Sequence, residues 1–264
     1  MLKIPSFKHP SNSSLATVFR QPNVEDALSF IDLDPELEEQ VTTEYLNSLL
    51  VSTNNFEDTA KWTAGDRVAA LWWLFINIMP ETELTFSYHC EYCNSAHIED
   101  INLMDLDGEI TTLKSLPKLS KSLMFKGVLK DVAAKPLDGE AMATLEEYRL
   151  DLTEAIEEEN AQREQSIRAR MKLIDLALSI DVGDLDFDGK LELINTQTIP
   201  EMLKLISFVN TAKEELHHGL HTQLVDGKRQ VVSPPLECQS EDNKEGVSSR
   251  LLINFRSHDF IPTV

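Results

Sequence analysis

Thr63-Ala64-Gly65-Asp66-Arg67-Val68-Ala69-Ala70-Leu71-Trp72-Trp73-Leu74-Phe75-Ile76-Asn77-Ile78-Met79-Pro80 is the stretch on which the fold turns. Thr63 to Asp66 resembles a capping box and Pro80 marks a stop, so the pattern predicts a helix from Thr63 to Met79. Its apolar residues cover nearly every face, which requires burial on several sides and makes it either a core helix or an interface helix. Adjacent Trp72 and Trp73 point in different directions, so Trp72, Trp73 and Phe75 are expected as partner-binding anchors. Burial of both indoles within one chain is the competing reading.

Downstream, Leu84-Thr85-Phe86-Ser87-Tyr88-His89 alternates apolar and polar residues with the period of a half-buried strand. The return from Ile98 to Leu106 keeps Ile101 and Leu103 in phase but sets Ile98 out of phase, which predicts a bulge or a late strand start. Between them lies Cys90-Glu91-Tyr92-Cys93-Asn94. Two thiolates at this spacing can share one ion, and Asn94 tolerates the left-handed geometry that commonly follows such a knuckle. No second Cys-x-x-Cys supplies the remaining ligands. His97 is near enough to be a third, whereas His89 sits on a strand position that points away. His217 and His221 form an i, i+4 pair on a predicted helix and would complete a two-cysteine, two-histidine set. The expected cofactor is zinc or an iron–sulfur cluster on Cys90 and Cys93, with ligands from elsewhere in the chain or from a partner. A packed pair of reduced thiols and an exposed polar helix end are the competing readings. Thioredoxin-like chemistry is disfavoured, because the flanks are strand-like rather than a helix N-terminus.

Outward from this unit, residues 1–33 read as an extended arm with a short apolar stretch at Leu15 to Phe19. Asp34-Pro35-Glu36 opens a helix running to about Val51 that buries Leu37, Val41, Tyr45 and Leu49. With the hairpin this makes a core domain over 34–107. A Lys-rich connector spans 108–138. A helical region over 139–222 follows, with a long charged stretch from Gly139 to Ile180. Its middle, Glu157 to Ser166, is almost wholly polar, which suggests a projecting helix or a helical hairpin. Another helix is expected from Pro200 to His221. Residues 223–264 read as a loop and strand-like tail, with a flexible loop from Glu237 to Ser249 and a late strand from Arg250 to Phe255. The fold class is α+β and predominantly α-helical: a small Cys-x-x-Cys β-hairpin after a buried helix, with a long charged helix C-terminal to it.

Asp184-x-Asp186-x-Asp188-Gly189 matches the opening of a calcium loop. Asn195 stands at the twelfth position, where a bidentate carboxylate should close the shell, so a plain acidic turn competes.

Composition narrows the functional classes. The chain has 264 residues, 42% of them hydrophobic, and a formal charge of −21. Phosphate polyanions are repelled by such a surface, and the densest basic run, Arg163 to Lys172, is interleaved with acid, so no nucleic-acid partner is expected. Three cysteines do not make a disulfide framework, which fits a reducing compartment. Neither a signal peptide nor a membrane span is expected. No Gly-rich phosphate loop, nucleophile elbow or His-Glu-x-x-His occurs, and no enzyme is expected.

Four motifs occur in a suggestive order: Ile4-Pro5-Ser6-Phe7-Lys8-His9-Pro10, then Arg20-x-Pro22-x-x-x-Asp26, then Thr63-x-x-Asp66-Arg67, then the Tyr88-x-Cys90-x-x-Cys93 hairpin ending in Ile101-Asn102-Leu103. Over residues 1–107 the chain resembles tailed-bacteriophage baseplate hub and tail-assembly proteins of the T-even type. The resemblance implies a non-enzymatic structural or assembly protein acting through other tail and baseplate proteins in an oligomeric assembly. Its location would be the host cytoplasm during assembly and the virion thereafter. The alternative is a metal-stabilised zinc-knuckle adaptor or an acidic chaperone module. Residues 108–264 have no counterpart in the resemblance.

Overall fold

A computed structural model describes residues 4–30, 34, 36–51, 58–90, 92–225, 228–238, 240 and 248–262. They form eight α-helices and twelve short strands in five small sheets, a mixed α+β chain about 46% helical. No helix among the described residues is long and apolar enough to cross a membrane.

The N-terminal segment is packed rather than extended. Strands β1 (Phe7–His9) and β2 (Asn12–Thr17) form an antiparallel hairpin, and Ile4, Phe7 and Phe19 enter the core. Helix α1 (Val24–Ser29) starts in a capping box between Asn23 and Asp26, and Arg20 grips Asp26 through both terminal guanidinium nitrogens at 2.5 and 2.6 Å. Helix α2 (Glu38–Leu49) buries Val41, Tyr45 and Leu49 as their spacing predicts, whereas Leu37, expected with them, stands at the N-cap and is only half-buried. It starts later than expected: Asp34 accepts from the Glu36 N–H at 2.9 Å in a preceding turn, and Pro35 lies outside the described residues.

Helix α3 (Ala64–Ile78) starts where Thr63 Oγ1 accepts from the Asp66 N–H at 3.1 Å. It is the central helix of the first core. Trp72 is 1% exposed and donates from Nε1 to Leu103 O at 2.8 Å, so it is sealed inside and cannot serve as a docking anchor. Trp73 is half-buried and donates to Pro5 O at 3.3 Å. Phase along the helix turns the two indoles apart, and the chain's own N-terminal segment meets the second one. Phe75, also half-buried, packs edge-on against Phe260 at 5.0 Å between ring centroids, so the chain's other end covers it.

Strands β3 (Glu83–His89) and β4 (Ala96–Asn102) pair in unbroken register, Glu83 opposite Asn102 through His89 opposite Ala96. There is no bulge; Ile98 faces solvent at 68% exposure. The 3-10 turn Leu103–Glu109 then buries Leu103 and Leu106 in the first core.

The expected connector is instead a third hairpin, β5 (Leu119–Phe125) with β6 (Val128–Ala134). Helices α4 (Gly139–Glu157) and α5 (Ala161–Leu178) form a helical hairpin that reverses within the polar run, where Glu159 takes φ +53°. Strand β7 (Ile180–Val182) completes the sheet against β6. Helices α6 (Phe187–Asn195) and α7 (Ile199–Glu215) follow, and a second core gathers Leu123, Phe125, Val132, Ile180, Phe208 and Val209.

The tail returns to the first core. Strands β8 (Thr222–Val225) and β9 (Lys228–Val232) pair, β10 (Leu236–Glu237) pairs with β11 (Ser248–Ser249), β12 (Leu252–Asn254) joins β9, and α8 (Ser257–Phe260) ends the fold. Val231, Ile253, Phe255 and Ile261 pack with the residues around α3, so the first core draws on residues 4–106 and 220–261 rather than on 34–107 alone. The expected flexible loop from Glu237 to Ser249 is closed at its ends by the β10–β11 pair, and 241–247 lie outside the described residues.

Buried charge fixes this core. Arg67 donates to Glu39 O at 2.7 Å and to its carboxylate at 3.2 Å, while Arg229 meets the other Glu39 oxygen at 2.8 Å. The Glu39 N–H in turn donates to both Glu146 oxygens, at 3.1 and 3.2 Å, tying α2 to α4. Asp66 accepts from the Ser11 N–H at 2.9 Å and from the Ser11 hydroxyl, and lies 3.4 Å from His9 Nδ1. Pairing of this kind is what makes buried charge tolerable.

Candidate metal centre

Three of the residues that could hold a metal are positioned by the tip of the β3–β4 hairpin. Cys90 follows β3 directly, and its N–H donates to Ser95 O at 3.0 Å. The Asn94 N–H donates back to Cys90 O at 2.9 Å, and Asn94 takes φ +54°, the left-handed conformation expected of the knuckle. This tight turn aims both sulfurs to one side of the ribbon. His97, one residue into β4 and opposite Tyr88, places Nε2 3.0 Å from Cys93 Sγ.

The fourth member comes from the far end of the chain. Cys238 follows β10, and the donor atoms of Cys90, Cys93, His97 and Cys238 all lie within 4.8 Å of one another. Cys90, His97 and Cys238 are buried and Cys93 is partly exposed. Donors on a tetrahedral zinc ion, at roughly 2.3 Å for sulfur, stand about 3.8 Å apart along each edge, so the set fits one ion with small adjustment.

The local electrostatics suit a cation. The backbone N–H groups of Cys93 and then Tyr92 hold the Cys90 thiol below its ordinary pKa, and the Ser95 N–H does the same for Cys93. At Cys238 the Ser240 N–H pulls downward, but burial together with Cys90 and Cys93 wins and the thiol is raised. Three thiols crowded together disfavour joint ionisation unless a cation neutralises them. The Tyr88 hydroxyl is buried without a hydrogen-bond partner among the described residues, and its proton is held tighter by burial, then by Glu99 and the three cysteines.

Other expected ligands do not join this centre. Helix α7 ends at Glu215, so His217 and His221 are not on a common helical face. Beyond the helix Gly219, at φ +82°, lies so close to α3 that a Cβ there would fall 2.7 Å from Gly65 O. That close approach sets the chain's path past His217 and His221, whose rings stand 5.3 Å apart away from the cysteines. Burial, then the neighbouring His221 and His218, hold the His217 pKa below its ordinary value. Asp184, Asp186 and Asp188 form no convergent set; Asp186 caps α6 by accepting from the Gly189 N–H at 2.9 Å, the role of a plain acidic turn. His89 is exposed on β3, outside the cluster.

Sequence reasoning missed Cys238. It carries no local motif, and the available signal was arithmetic: a two-thiol knuckle short of ligands, and one remaining cysteine in the chain. Comparison with known proteins finds no matching family, no matching curated protein and no matching solved structure.

Proposed function

We propose that this chain is a non-enzymatic structural or assembly protein held together at its hairpin by a single zinc ion on Cys90, Cys93, His97 and Cys238. The observation that carries this reading is the convergence of four protein donors, three of them sulfur. Four protein ligands fill a tetrahedral shell and leave no position for water or substrate, which is the composition of a structural rather than a catalytic zinc site. A mononuclear ion is favoured over an iron–sulfur cluster, because ligands spread over several irons stand farther apart than those sharing one ion.

The kind of assembly follows from the resemblance to baseplate hub proteins, and the motifs that carry it have structural roles in keeping with that reading. Arg20 and Asp26 pair bidentately, Asp66 holds Ser11 and faces His9, and Arg67 joins Glu39. Residues busy in this way organise a scaffold and do no chemistry on a substrate. Apolar side chains at Ile199, Leu203 and Ile206, 77%, 60% and 37% exposed on one face of α7, are surface of the kind protein partners cover. The partners proposed are other tail and baseplate proteins, met in the host cytoplasm and retained in the virion.

Two measurements test this. Freshly purified protein should contain one zinc per chain, and Cys90→Ser with Cys93→Ser should remove it. Co-expressed with the hub and tube proteins of its own phage, the wild type should co-purify with them. Absence of stoichiometric metal would refute the zinc reading, and independence from every tail protein would refute the assembly reading.

A further inference from the structure

A cavity of about 600 Å³ opens where the two cores meet, bounded by the start of α3, the β6–α4 link, α4, α5, the end of α7 and the β8–β9 strands. Its floor is apolar, made by Val68, Leu137, Met142, Leu145, Leu216 and Leu220. Its wall reverses the charge of the molecule. The chain carries a net −21, yet Lys135, Arg149, Lys172, Lys213 and Arg229 all line this space, against Asp175 as the one carboxylate among the described lining residues.

Three of these cations are engaged: Lys135 with Asp181 at 3.3 Å, Lys213 with Asp175 at 2.6 Å and Arg229 with Glu39 at 2.8 Å. Arg149 and Lys172, on the two facing helices of the α4–α5 hairpin, make no direct salt bridge or side-chain hydrogen bond among the described residues, although Arg149 is near enough to Glu39 and Glu146 to act on both carboxyls through space. Two cations without a direct salt-bridge partner beside an apolar lining form an amphipathic receptacle, and its volume falls in the range of small-molecule sites, roughly 300–1,000 Å³. An apolar ligand alone would leave the cations unanswered, and a bare inorganic anion would leave the floor wet.

We propose that this cavity binds an amphipathic organic anion, its acidic head between Arg149 and Lys172 and its apolar body on Met142, Leu145 and Leu216. The guanidinium offers a planar fork suited to a carboxylate or phosphate, and the lysine adds a point charge. The apolar body contributes by leaving water. The site lies apart from the cysteine cluster, so the inference does not depend on the zinc reading.

The test is calorimetric titration of the full-length protein with decanoate, decyl phosphate, decan-1-ol and acetate. Decanoate or decyl phosphate should bind one to one, and the stronger of the two identifies the head group. Decanol should bind roughly tenfold more weakly, the size expected for losing a charge-assisted hydrogen bond. Acetate should show no saturable binding. The double variant Arg149→Gln, Lys172→Gln should erase the preference for the anion over decanol while the protein keeps its far-ultraviolet circular dichroism. The Cys93→Ser protein, provided it retains its far-ultraviolet circular dichroism, should keep the binding. Equal affinity for decanol and decanoate, an unchanged double variant, or many weak sites per chain would each overturn the proposal. So would an acidic, apolar peptide that binds where neither decyl anion does, since the receptacle would then belong to a polypeptide.

Discussion

The two cores of this molecule are held by different physics. The first, around α3, buries Glu39, Asp66, Arg67 and His9 among its apolar residues, and a cluster of candidate metal ligands that includes His97 caps its hairpin. The second, around β5–β6–β7 and α7, is apolar throughout, with Ser179 its one buried polar side chain among the described residues. Their hairpins make the contrast sharp, since each pairs seven residues with seven. In β5–β6 the side chains of Leu123, Phe125, Val132, Ala133 and Ala134 are buried, and a third strand and a helix complete the layer. In β3–β4 only His97 and Ile101 are buried, and the ribbon remains two-stranded. A lone two-stranded ribbon is marginal in water, so on the proposed zinc reading coordination would replace the core that this hairpin lacks.

Metal removal is therefore the largest expected effect. Structural zinc supplies roughly 10–16 kcal/mol in small peptides, more than a hairpin tip can retain by other means. Chelation, or Cys90→Ser with Cys93→Ser, should abolish hydrogen-exchange protection across 83–102 and loosen 236–238, while 119–134 stays protected. Equal loss in both hairpins would erase the distinction drawn between them.

The reciprocal perturbation is Phe125→Ala. Its ring is buried in the second core, and deleting such a side chain costs about 3–5 kcal/mol. Chemical denaturation should show that loss while zinc content stays at its wild-type level. The matching change in the other ribbon, Phe86→Ala, removes a half-buried ring and should cost distinctly less.

The third prediction concerns the charge network of the first core. Burial, then the nearby Glu39 and Glu38 carboxylates, raise Glu146 to about 7 from its ordinary 4.5, although the Glu39 N–H pulls the other way. The folded state thus binds the Glu146 proton more tightly than the unfolded chain does. This contribution to stability is complete below about pH 4.5 and is lost as pH rises through about 7, on the order of 3 kcal/mol in all. Glu146→Gln should leave stability near wild type in acid and raise it above neutrality, measured as the denaturation midpoint against pH. A parallel curve for wild type and variant would remove Glu146 from the network.

How far these differences could be read beforehand depends on the range of the signal. Helix α3 was legible because Thr63 caps it, Pro80 follows it and its apolar residues recur locally. The knuckle was legible because only two residues separate its thiols and Asn94 suits the turn. Cys238 was not, since only the return of β10 brings it there across more than a hundred residues. The β5–β6 hairpin hid behind Lys121, Lys126 and Lys130, and behind Met124, Val128 and Leu129, which are exposed and blur the alternation. Its Lys126-Gly127 turn was the local cue. The histidine pair misled because spacing alone cannot say that the helix stops at Glu215.

The smallest effect lies in the turns of the same two hairpins. Each carries a side-chain-bearing residue in the left-handed region, Asn94 at φ +54° and Lys126 at φ +49°, the latter followed by Gly127 at +80°. Asn tolerates this conformation because its short amide bonds locally, whereas Lys has no such relief. Two successive residues at positive φ in a two-residue loop are what an Asn-Gly pair suits best. Lys126→Asn should therefore stabilise the second core by roughly 0.5–1 kcal/mol, read from the denaturation midpoint. Asn94→Lys should lose a similar amount, but in the metal ribbon it should emerge as faster zinc release to a chelator rather than as a shift in global unfolding. If Asn94→Lys instead lowered global stability and left zinc release unchanged, the knuckle would be part of the apolar fold, and the two hairpins would be alike after all.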